Sequence, residues 1–582
     1  MEPSQATMSP QAKLQSYIDT LQLPEADRSK LSFCAGKKPS KIQAWLNGLH
    51  TTKTSETAAI FYTALPEISR LKIDPVTRLE MFEAVRPVAQ NTIKGLTRDL
   101  FNQSVNTSPE AQKTFIVAQS IQKAMIDGYT RCVTDICQVK KIRPQQTSTL
   151  TIALHRAITG VGLVFLRNYQ LYSHLPSGFW LRLHALFQIA DSFDLLAKPV
   201  LDDQLQTTRA TNIQSAYTRV LLMATAKLNQ VSQQNISLLF DAFEIWAQYV
   251  RLHTSNFQDK ELFYLLNLSA DRSPVYKSRF EGNANDRVVQ LNLKVLVSLL
   301  SKHSPSKVGD DEEQSGSLNI PIGFPDSLIE HMLGCWSTVS QRQQERQNVH
   351  TTAEVCIGLV NAHYYVNGGQ DFDTFASQTS LEGDLKQGAF NTITSGASGL
   401  FDLPESGETQ SSPPTHKISI QNVSAGGCCL VWKGSPPSKL QSGELIGYKE
   451  AGRHGWSIGV VRWIRQFKDS TQLGVQTLTT QPKPYGASQL YDMGGYSDYM
   501  RALYIPALKS GQGPASILTA FAPFKEYDKV KIFDGVTTIT AKLTKVLFST
   551  GSIRQFAYHP LESTDKQETR KKVSKQFDND WD

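Results

Sequence analysis

Residues 417–432, KISIQNVSAGGCCLVW, decide the fold of the C-terminal half of this chain. Two strand-like runs, Lys417–Gln421 and Gly427–Trp432, flank the motif Asn422-Val-Ser424-Ala-Gly-Gly427 (NxSxxG). Asn, Ser and paired glycines favour tight turns because they hydrogen-bond locally or tolerate positive φ. The segment therefore predicts a β-hairpin.

Further strand-like segments surround this hairpin. They are Val355–Val366 ahead of it, and Glu444–Lys449, Trp456–Gln466 and Gln472–Leu478 after it. Short strands separated by Gly, Ser and Pro turns are typical of a small antiparallel barrel or sandwich. We therefore predict a small antiparallel β-domain, either a barrel or a sandwich, over residues 321–482.

A second set of strands begins near residue 483. Its members are Tyr499–Ile505, Ser516–Phe521, Lys529–Phe533, Thr538–Phe548 and Gln555–His559. They predict a second small β-unit over residues 483–561, either a separate domain or an extension of the first. The highly charged tail, residues 562–582, is expected to be disordered.

The first 300 residues have the apolar periodicity of helices. It is present in segments 149–175, 178–196, 213–229, 232–253 and 288–302, and in the fourth Ile236, Leu239 and Phe243 share one stripe. Such a stripe can be a partner-binding groove, although ordinary helix–helix packing is its commoner cause. We predict an all-α region over residues 1–300, of one or two domains, then a polar linker (301–320) and a helix over 326–341.

Bulk properties narrow the function. A chain of 582 residues is too long for a single core, so several domains are expected. The net charge of +7 comes with no dense Lys/Arg stripe, which argues against a nucleic-acid partner. Seven scattered cysteines and the lack of a signal segment or an apolar run of membrane length predict a cytoplasmic protein without direct membrane insertion.

Catalytic signatures are missing from the sequence. It contains no GxxxxGK[ST], GxSxG, HExxH or GxGxxG motif, its twelve histidines are dispersed, and no zinc-ligand spacing occurs. We therefore expect a protein that is not an enzyme and has no metal site.

A pair of arginines precedes the barrel in Arg342-Gln-Gln-Glu-Arg346 (RxxxR). Two cations near the end of a helix need no ligand, because they interact favourably with the helix dipole. However, the order RxxxR, strand, NxSxxG, Val461-Arg-Trp463 and Leu473-Gly-Val475 resembles the PilZ family.

This resemblance implies a six-stranded antiparallel barrel that binds cyclic di-GMP, with no further cofactor. It assigns the ligand to Arg342, Arg346, Asn422, Ser424 and Gly427. Arginine suits this ligand because its guanidinium can pair with guanine or phosphate and can stack on a base. Asn422 and Ser424 would supply hydrogen bonds, and Gly427 would let the backbone turn sharply.

The chain departs from the family pattern in two places. Residues 347–421, 75 in all, separate the two motifs, and the excess falls in a Gly/Ser-rich insertion at about 370–415. Such an insertion is tolerable because the entropy of loop closure grows slowly with length. Gln341 stands where a further arginine can precede the motif, which leaves open whether one or two ligand molecules bind.

The expected fold is thus multidomain α + β: a large all-α N-terminal region, a PilZ-like antiparallel β-barrel and a second small β-unit. The expected function is that of a bacterial cytoplasmic receptor for cyclic di-GMP. It would relay the second messenger to an unknown protein partner through the helical region, in the control of motility, pili or biofilm. The alternative is a helical scaffold or chaperone-like interaction protein whose barrel no longer binds a ligand.

Overall fold

A computed structural model describes most of the chain, in two units. The described residues are 9–102, 108–139, 141–206, 208–253, 264–282, 287–304, 318–337, 346–377, 412–434, 436–491, 494–507 and 513–561. The first unit comprises residues 1–343 with 465–469, and the second comprises residues 344–464 with 470–582. The predicted tail and most of the predicted insertion lie outside the described residues.

The first unit is built mainly from helices. They are α1 (Pro10–Thr20), α2 (Pro39–Asn47), α3 (Thr54–Arg70), α4 (Pro75–Thr97), α5 (Pro109–Cys137), α6 (Pro144–Gln170), α7 (Phe179–Ser192), α8 (Ile213–Thr225), α9 (Gln233–Trp246), α10 (Lys294–Ser301) and α11 (Asp326–Trp336). Several begin with proline at the first helical position, where its missing N–H costs nothing. Asp74 and Ser108 cap α4 and α5 by accepting a backbone N–H at the third position of each helix.

Helix α6 forms the centre of this unit. It is long and apolar enough to cross a membrane, but 78% of its most apolar window is buried inside the protein. Leu154, Ile158 and Phe165 are fully buried in it. A core helix of a large helical unit accounts for this composition.

Short strands complete the first unit. Strands β1 (Val200–Leu201) and β2 (Ala210–Thr211) form a hairpin, and β3 (Arg251–His253), β4 (Tyr264–Asn267), β5 (Val275–Tyr276) and β6 (Val288–Asn292) form a sheet of order β3-β6-β4-β5. The carboxylate of Asp202, next to β1, is buried and accepts from Arg86 at 2.7 Å. This buried ion pair, joined by Arg156 at 3.1 Å, ties the hairpin to α4 and α6.

The helical prediction is wrong over residues 288–302, and the last four residues of the predicted helix 326–341 lie outside the described residues. The predicted helix over 288–302 is strand β6 followed by α10, and the Asn292 side chain accepts the Lys294 N–H at 3.0 Å in the turn between them. The predicted helix over 326–341 is α11, whose described part ends at Trp336.

The second unit opens with a closed six-stranded antiparallel barrel. Its strands are β7 (Gln347–Ile357), β8 (His416–Ser424), β9 (Gly427–Lys433), β10 (Leu445–Glu450), β11 (Ser457–Gln466) and β12 (Ser470–Thr479). They follow one another in the order β10-β11-β12-β9-β8-β7, and pairing of β7 with β10 closes the ring. The PilZ-like barrel predicted from the sequence is therefore confirmed.

The predicted strand Val355–Val366 is half wrong. Strand β7 ends at Ile357, Gly358 adopts a φ of +86°, and helix α12 (Leu359–Val366) follows, then α13 (Phe372–Ser377). The β-branched and aromatic residues of α12 suit a strand by propensity alone. Packing overrides this preference, since Ala362 and His363 are buried.

A second closed six-stranded barrel follows. Its strands are β13 (Lys483–Gln489), β14 (Met500–Ile505), β15 (Ser516–Ala520), β16 (Lys529–Phe533), β17 (Thr538–Ser549) and β18 (Ile553–Pro560), in the order β13-β14-β15-β18-β17-β16. The two barrels share one apolar cluster. It consists of Cys356, Ala362, Leu445, Ile458 and Val460 from the first barrel segment, and Leu503, Ile505, Leu518 and Ile553 from the second.

Candidate ligand-binding site

The NxSxxG motif forms the β8–β9 hairpin. Ser424 pairs with Gly427 across a turn made by Ala425 and Gly426. The Ser424 hydroxyl donates to the Gly427 carbonyl at 3.2 Å, and the Thr477 N–H donates to the Gly426 carbonyl at 3.0 Å. The turn is therefore held both by its own side chain and by β12.

Gly427 is required by close backbone contact. Its φ is +155°, and a Cβ at this position would overlap the Val475 carbonyl oxygen, with the carbonyl carbon only 3.0 Å away. Because both obstructing atoms belong to the backbone of β12, no side-chain rotation could relieve the overlap. The glycine of the motif therefore lets β9 run directly against β12.

A β-bulge directs the polar residues of the motif outward. Ile420 pairs with Leu430 and both are buried, whereas after the bulge Asn422 pairs with Cys429 and Val423 with Cys428. The extra residue in β8 changes which positions face the core. Asn422 and Ser424 are half-buried on the outer face, and the described residues offer the Asn422 amide no hydrogen-bond partner.

Arg346 lies beside this turn. It directly precedes β7, where Gln347 pairs with Val423 and Asn348 with Asn422. Continuing this antiparallel register by one residue brings Arg346 opposite Ser424. Because opposite residues on paired strands point to the same face, the exposed Arg346 side chain joins the face that carries Asn422 and Ser424.

The structure thus brings together four of the five residues assigned from the sequence: Arg346, Asn422, Ser424 and Gly427. Arg342 lies in the stretch 338–345, outside the described residues. Two polar residues were missed: Asn348, opposite Asn422, and Gln476, opposite Gly427, both exposed. Their place follows from strand register, which the bulges shift and the sequence pattern does not reveal.

Two other family-like segments meet in one contact. A Cβ at Gly474 would overlap the indole nitrogen of Trp463, so the Trp463 ring lies against this glycine. The tryptophan of Val461-Arg-Trp463 and the glycine of Leu473-Gly-Val475 are therefore one packing unit between β11 and β12. It supports the strand that carries Val475 beneath the turn.

The electrostatics of the site favour an anion. Arg346 has no carboxylate partner among the described residues, while the neighbouring ions pair with each other, Lys449 with Glu354 at 3.3 Å and Arg453 with Glu450 at 3.3 Å. Burial raises the pKa of the Cys428 thiol to about 12, so this side chain remains neutral under the hairpin. The face offers one guanidinium, amides and a hydroxyl, which suits a phosphate or a guanine edge.

Metal chemistry has no support at this face. In the part of the chain that the structure describes, no group of three or more His, Cys, Asp or Glu side chains is arranged to hold a metal ion. The seven cysteines are all free thiols.

Comparison with known proteins agrees with the order of the helical unit and the two barrels along the chain. Three family models match in succession: the N-terminal domain of the cyclic-di-GMP receptor FimW over residues 40–258, its middle PilZ domain over 263–410 and 401–484, and its C-terminal β-barrel domain over 485–561. The chain belongs to the family of PilZ-domain cyclic-di-GMP receptors. The border between the second and third models falls at the start of the second barrel, in strand β13.

A curated relative covers nearly the whole chain. The cyclic-di-GMP receptor FimW of Pseudomonas aeruginosa is 27% identical over 577 residues, which span 93% of this chain and 94% of the relative. No solved structure matches. The resemblance inferred from residues 340–480 thus extends in this family to the helical unit and to the second barrel.

Proposed function

We propose that this protein is a receptor that binds cyclic di-GMP on the outer face of the first barrel, at the β8–β9 hairpin. The observation that carries the proposal is the convergence of Arg346, Asn422 and Ser424 on one face of the barrel, beside the glycine that lets β9 run directly against β12. Membership of a family of cyclic-di-GMP receptors supports the choice of ligand.

Each residue has a distinct role in this proposal. Arg346 pairs with a phosphate or with guanine O6 and N7, and its planar guanidinium can also stack on the base. The Asn422 amide, which has no described partner, hydrogen-bonds a guanine edge. Ser424 hydrogen-bonds the base or a phosphate, and Gly427 lets the backbone turn sharply beneath the ligand.

Arg342 is proposed as the second arginine of the same site. It lies four residues before Arg346, in the segment where the helical unit ends and the barrel unit begins. In this proposal, binding of the ligand by both arginines closes the RxxxR segment onto the barrel. The helical unit responds to this closure only if the ligand binds the two arrangements with different affinity.

The output of the receptor is proposed to be a protein partner contacted through the helical unit. In this proposal the protein acts in the bacterial cytoplasm, without catalysis, and controls motility, pili or biofilm. The support is the size of the helical unit together with its match to a domain of a known receptor.

Calorimetry with cyclic di-GMP tests the proposal. We expect micromolar or tighter binding by the full chain, and at least a tenfold loss with Arg346→Ala or Arg342→Ala, because an arginine–phosphate or arginine–guanine pair contributes about 1–3 kcal/mol. Arg453→Ala is the matched control, since this exposed arginine of the same barrel pairs with Glu450 instead.

Ligand specificity provides a second test of the proposed cyclic-di-GMP site. Cyclic di-AMP keeps both phosphates but lacks the guanine O6 acceptor, so it is expected to bind far more weakly. The absence of heat with folded wild-type protein would exclude the receptor and leave the scaffold alternative. Equal binding of both dinucleotides would exclude guanine recognition by Arg346 and Asn422.

A further inference from the structure

The second barrel carries a lysine-rich surface on two of its neighbouring strands. Its outer residues on β16 and β17 include Lys529, Lys531 and Lys542, and we call these three the lysine face. Lys529 pairs directly with Lys542, which in turn pairs with His559 on β18. The three lysines therefore lie on two adjacent strands and within two residues of strand length.

Two of these lysines, Lys531 and Lys542, contact aromatic rings instead of carboxylates. The Lys531 ammonium lies 4.2 Å from the centre of the Tyr496 ring, and that of Lys542 lies 5.2 Å from the Tyr527 ring. Within the described residues of 483–561, no ion pair is formed by any lysine or arginine. A cation–π contact holds each ammonium in place but leaves its charge uncompensated.

Common structural explanations do not account for this face. Two like charges directly opposite on paired strands destabilise a sheet. Lysines often protect the edge of an open sheet from aggregation, but a closed barrel has no edge to protect. The opposite side of the barrel, with Leu503 on β14 and Leu518 on β15, is already buried in the cluster shared with the first barrel.

Tyr527 adds a second unusual feature to the same surface. It has a φ of +71°, which is rare for a residue with a side chain, and its side chain is 65% exposed. Two hydrogen bonds hold this conformation: the Tyr527 N–H donates to the Leu543 carbonyl, and the Leu543 N–H donates to the Asp528 carbonyl, both at 2.9 Å. Backbone strain that presents an exposed ring beside a lysine favours a binding role.

Carboxylates around the lysine face limit the size of the anion that can bind there. Glu526, Asp528 and Asp534 border the lysine face, and hydrogen bonds from backbone N–H groups and Thr537 lower the pKa of Asp534, so that it stays charged. A continuous polyanion or a flat anionic membrane would meet these carboxylates. A short peptide with acidic residues at alternate positions avoids them, because its side chains repeat every 6–7 Å or so, as Lys529 and Lys531 do.

We propose that the lysine face binds a short acidic segment of a protein partner, with carboxylates on Lys529, Lys531 and Lys542 and an apolar or aromatic side chain against Tyr527. This surface is separate from the proposed cyclic-di-GMP site, and the proposal does not depend on that function.

Fluorescence anisotropy with the full chain tests whether the lysine face binds an acidic peptide. The probe is a fluorescein-labelled peptide in which glutamate alternates with glycine, and the control peptide carries glutamine in place of glutamate. We expect binding of the glutamate peptide at low salt and about a tenfold loss in the combined variant Lys529→Gln, Lys531→Gln, Lys542→Gln, since each exposed pair contributes modestly. Its thermal stability should not fall, because removal of like charges relieves repulsion.

The matched control removes the same charge from the first barrel. Lys417→Gln, Lys433→Gln and Lys439→Gln together change three exposed lysines and should leave peptide binding unchanged. Equal losses in both triple variants would overturn the proposal, because net charge alone would then explain binding. Tighter binding of a single-stranded oligonucleotide or of phosphatidylglycerol vesicles, lost in the first triple variant, would assign the face to those anions and also overturn it.

Discussion

The two barrels of this protein have the same strand number and the same closure, but their hairpin turns use polar side chains in opposite ways. In the first barrel, Asn422 stands at the β8–β9 turn with its amide free of described partners. In the second, Asp534 at the β16–β17 turn accepts from the N–H groups of Val536 and Thr537, at 2.9 and 2.6 Å. The Asn422 amide thus remains available to a ligand of the kind proposed, whereas the Asp534 carboxylate is used to hold its own turn.

This difference shows that the barrel architecture does not determine the function. Both barrels provide six strands, a buried interior and turns of small residues. What separates them is the chemistry of a few outward side chains, since function resides in sites that a fold supports. The ligand hypothesis applies to the first barrel because of Arg346, Asn422 and Gly427.

The largest expected effect comes from the turn glycines. Gly427→Ala should cost about 4 kcal/mol or more of unfolding free energy, because its Cβ would meet the backbone of Val475. Gly535→Ala, in the turn of the second barrel, should cost only about 1–2 kcal/mol for its positive φ, since its nearest neighbour is the Phe375 ring edge at 3.1 Å. Urea unfolding monitored by circular dichroism measures both.

The two glycine variants also separate fold from site. Gly427→Ala is expected to abolish cyclic-di-GMP binding along with the structure of the hairpin, and Gly535→Ala to leave binding unchanged in the folded protein. If both variants lost the same free energy of unfolding, the claim that the close pairing of β9 with β12 requires glycine at position 427 would be wrong.

The second effect concerns the shared core. Leu518→Ala should destabilise the second unit by about 3 kcal/mol, because the side chain is fully buried where the two barrels meet. Leu547→Ala is the control, since 38% of that residue is exposed, and it should cost less than about 1 kcal/mol. Differential scanning calorimetry should show one common transition for both barrels. Two separate transitions, with only the later barrel affected, would show that the barrels fold independently.

Much of this architecture could be predicted from the sequence. The strand alternation of Lys417–Gln421 and Gly427–Trp432 indicated the hairpin, because each run is long enough to show its period and the turn residues are specific. For the same reason the later strands of the second barrel were predicted, except β13, where Pro484 and Gly486 weaken the strand pattern.

The rest depended on tertiary contacts. Helix α12 has the composition of a strand and is helical because it packs between the barrels, which no local pattern encodes. The placement of Asn348 and Gln476 beside the motif depends on bulges in β7 and β8 and on the register of β12. The role of Arg342 stays a prediction, because it lies outside the described residues.

A third effect is a pH dependence located at the junction of the barrels. His363 is buried on α12, its Nε2–H donates to the Tyr485 carbonyl at 3.2 Å, and Phe372 and Phe375 flank its ring. Burial and, to a lesser degree, the Arg501 guanidinium lower its pKa from 6.5 to about 4. Between these pH values the unfolded chain binds the proton and the folded protein does not. The contribution of His363 to the free energy of unfolding is therefore fully present above pH 6.5 and declines as the pH falls toward 4.

The expected loss is about 2 kcal/mol between pH 7 and pH 5 for this single group. Urea unfolding at the two pH values measures it in wild type and in His363→Phe. The variant loses the hydrogen bond to Tyr485 at both pH values, but it should lack this part of the pH dependence. Identical pH slopes would show that His363 titrates normally and that the junction admits water.

The smallest effect tests the contrast between the two turns directly. Asn422→Ala should weaken cyclic-di-GMP binding about tenfold, or about 1.4 kcal/mol, without changing the unfolding free energy, because the amide has no described partner within the protein. Asn422→Asp should restore most of the affinity, since a carboxylate accepts from the N1–H and N2–H groups of guanine. Asp534→Asn in the second barrel should leave affinity unchanged. Calorimetry on the three variants measures these affinities: unchanged affinity in Asn422→Ala would show that the ligand does not use the Asn422 amide, and the contrast drawn between the two turns would be wrong.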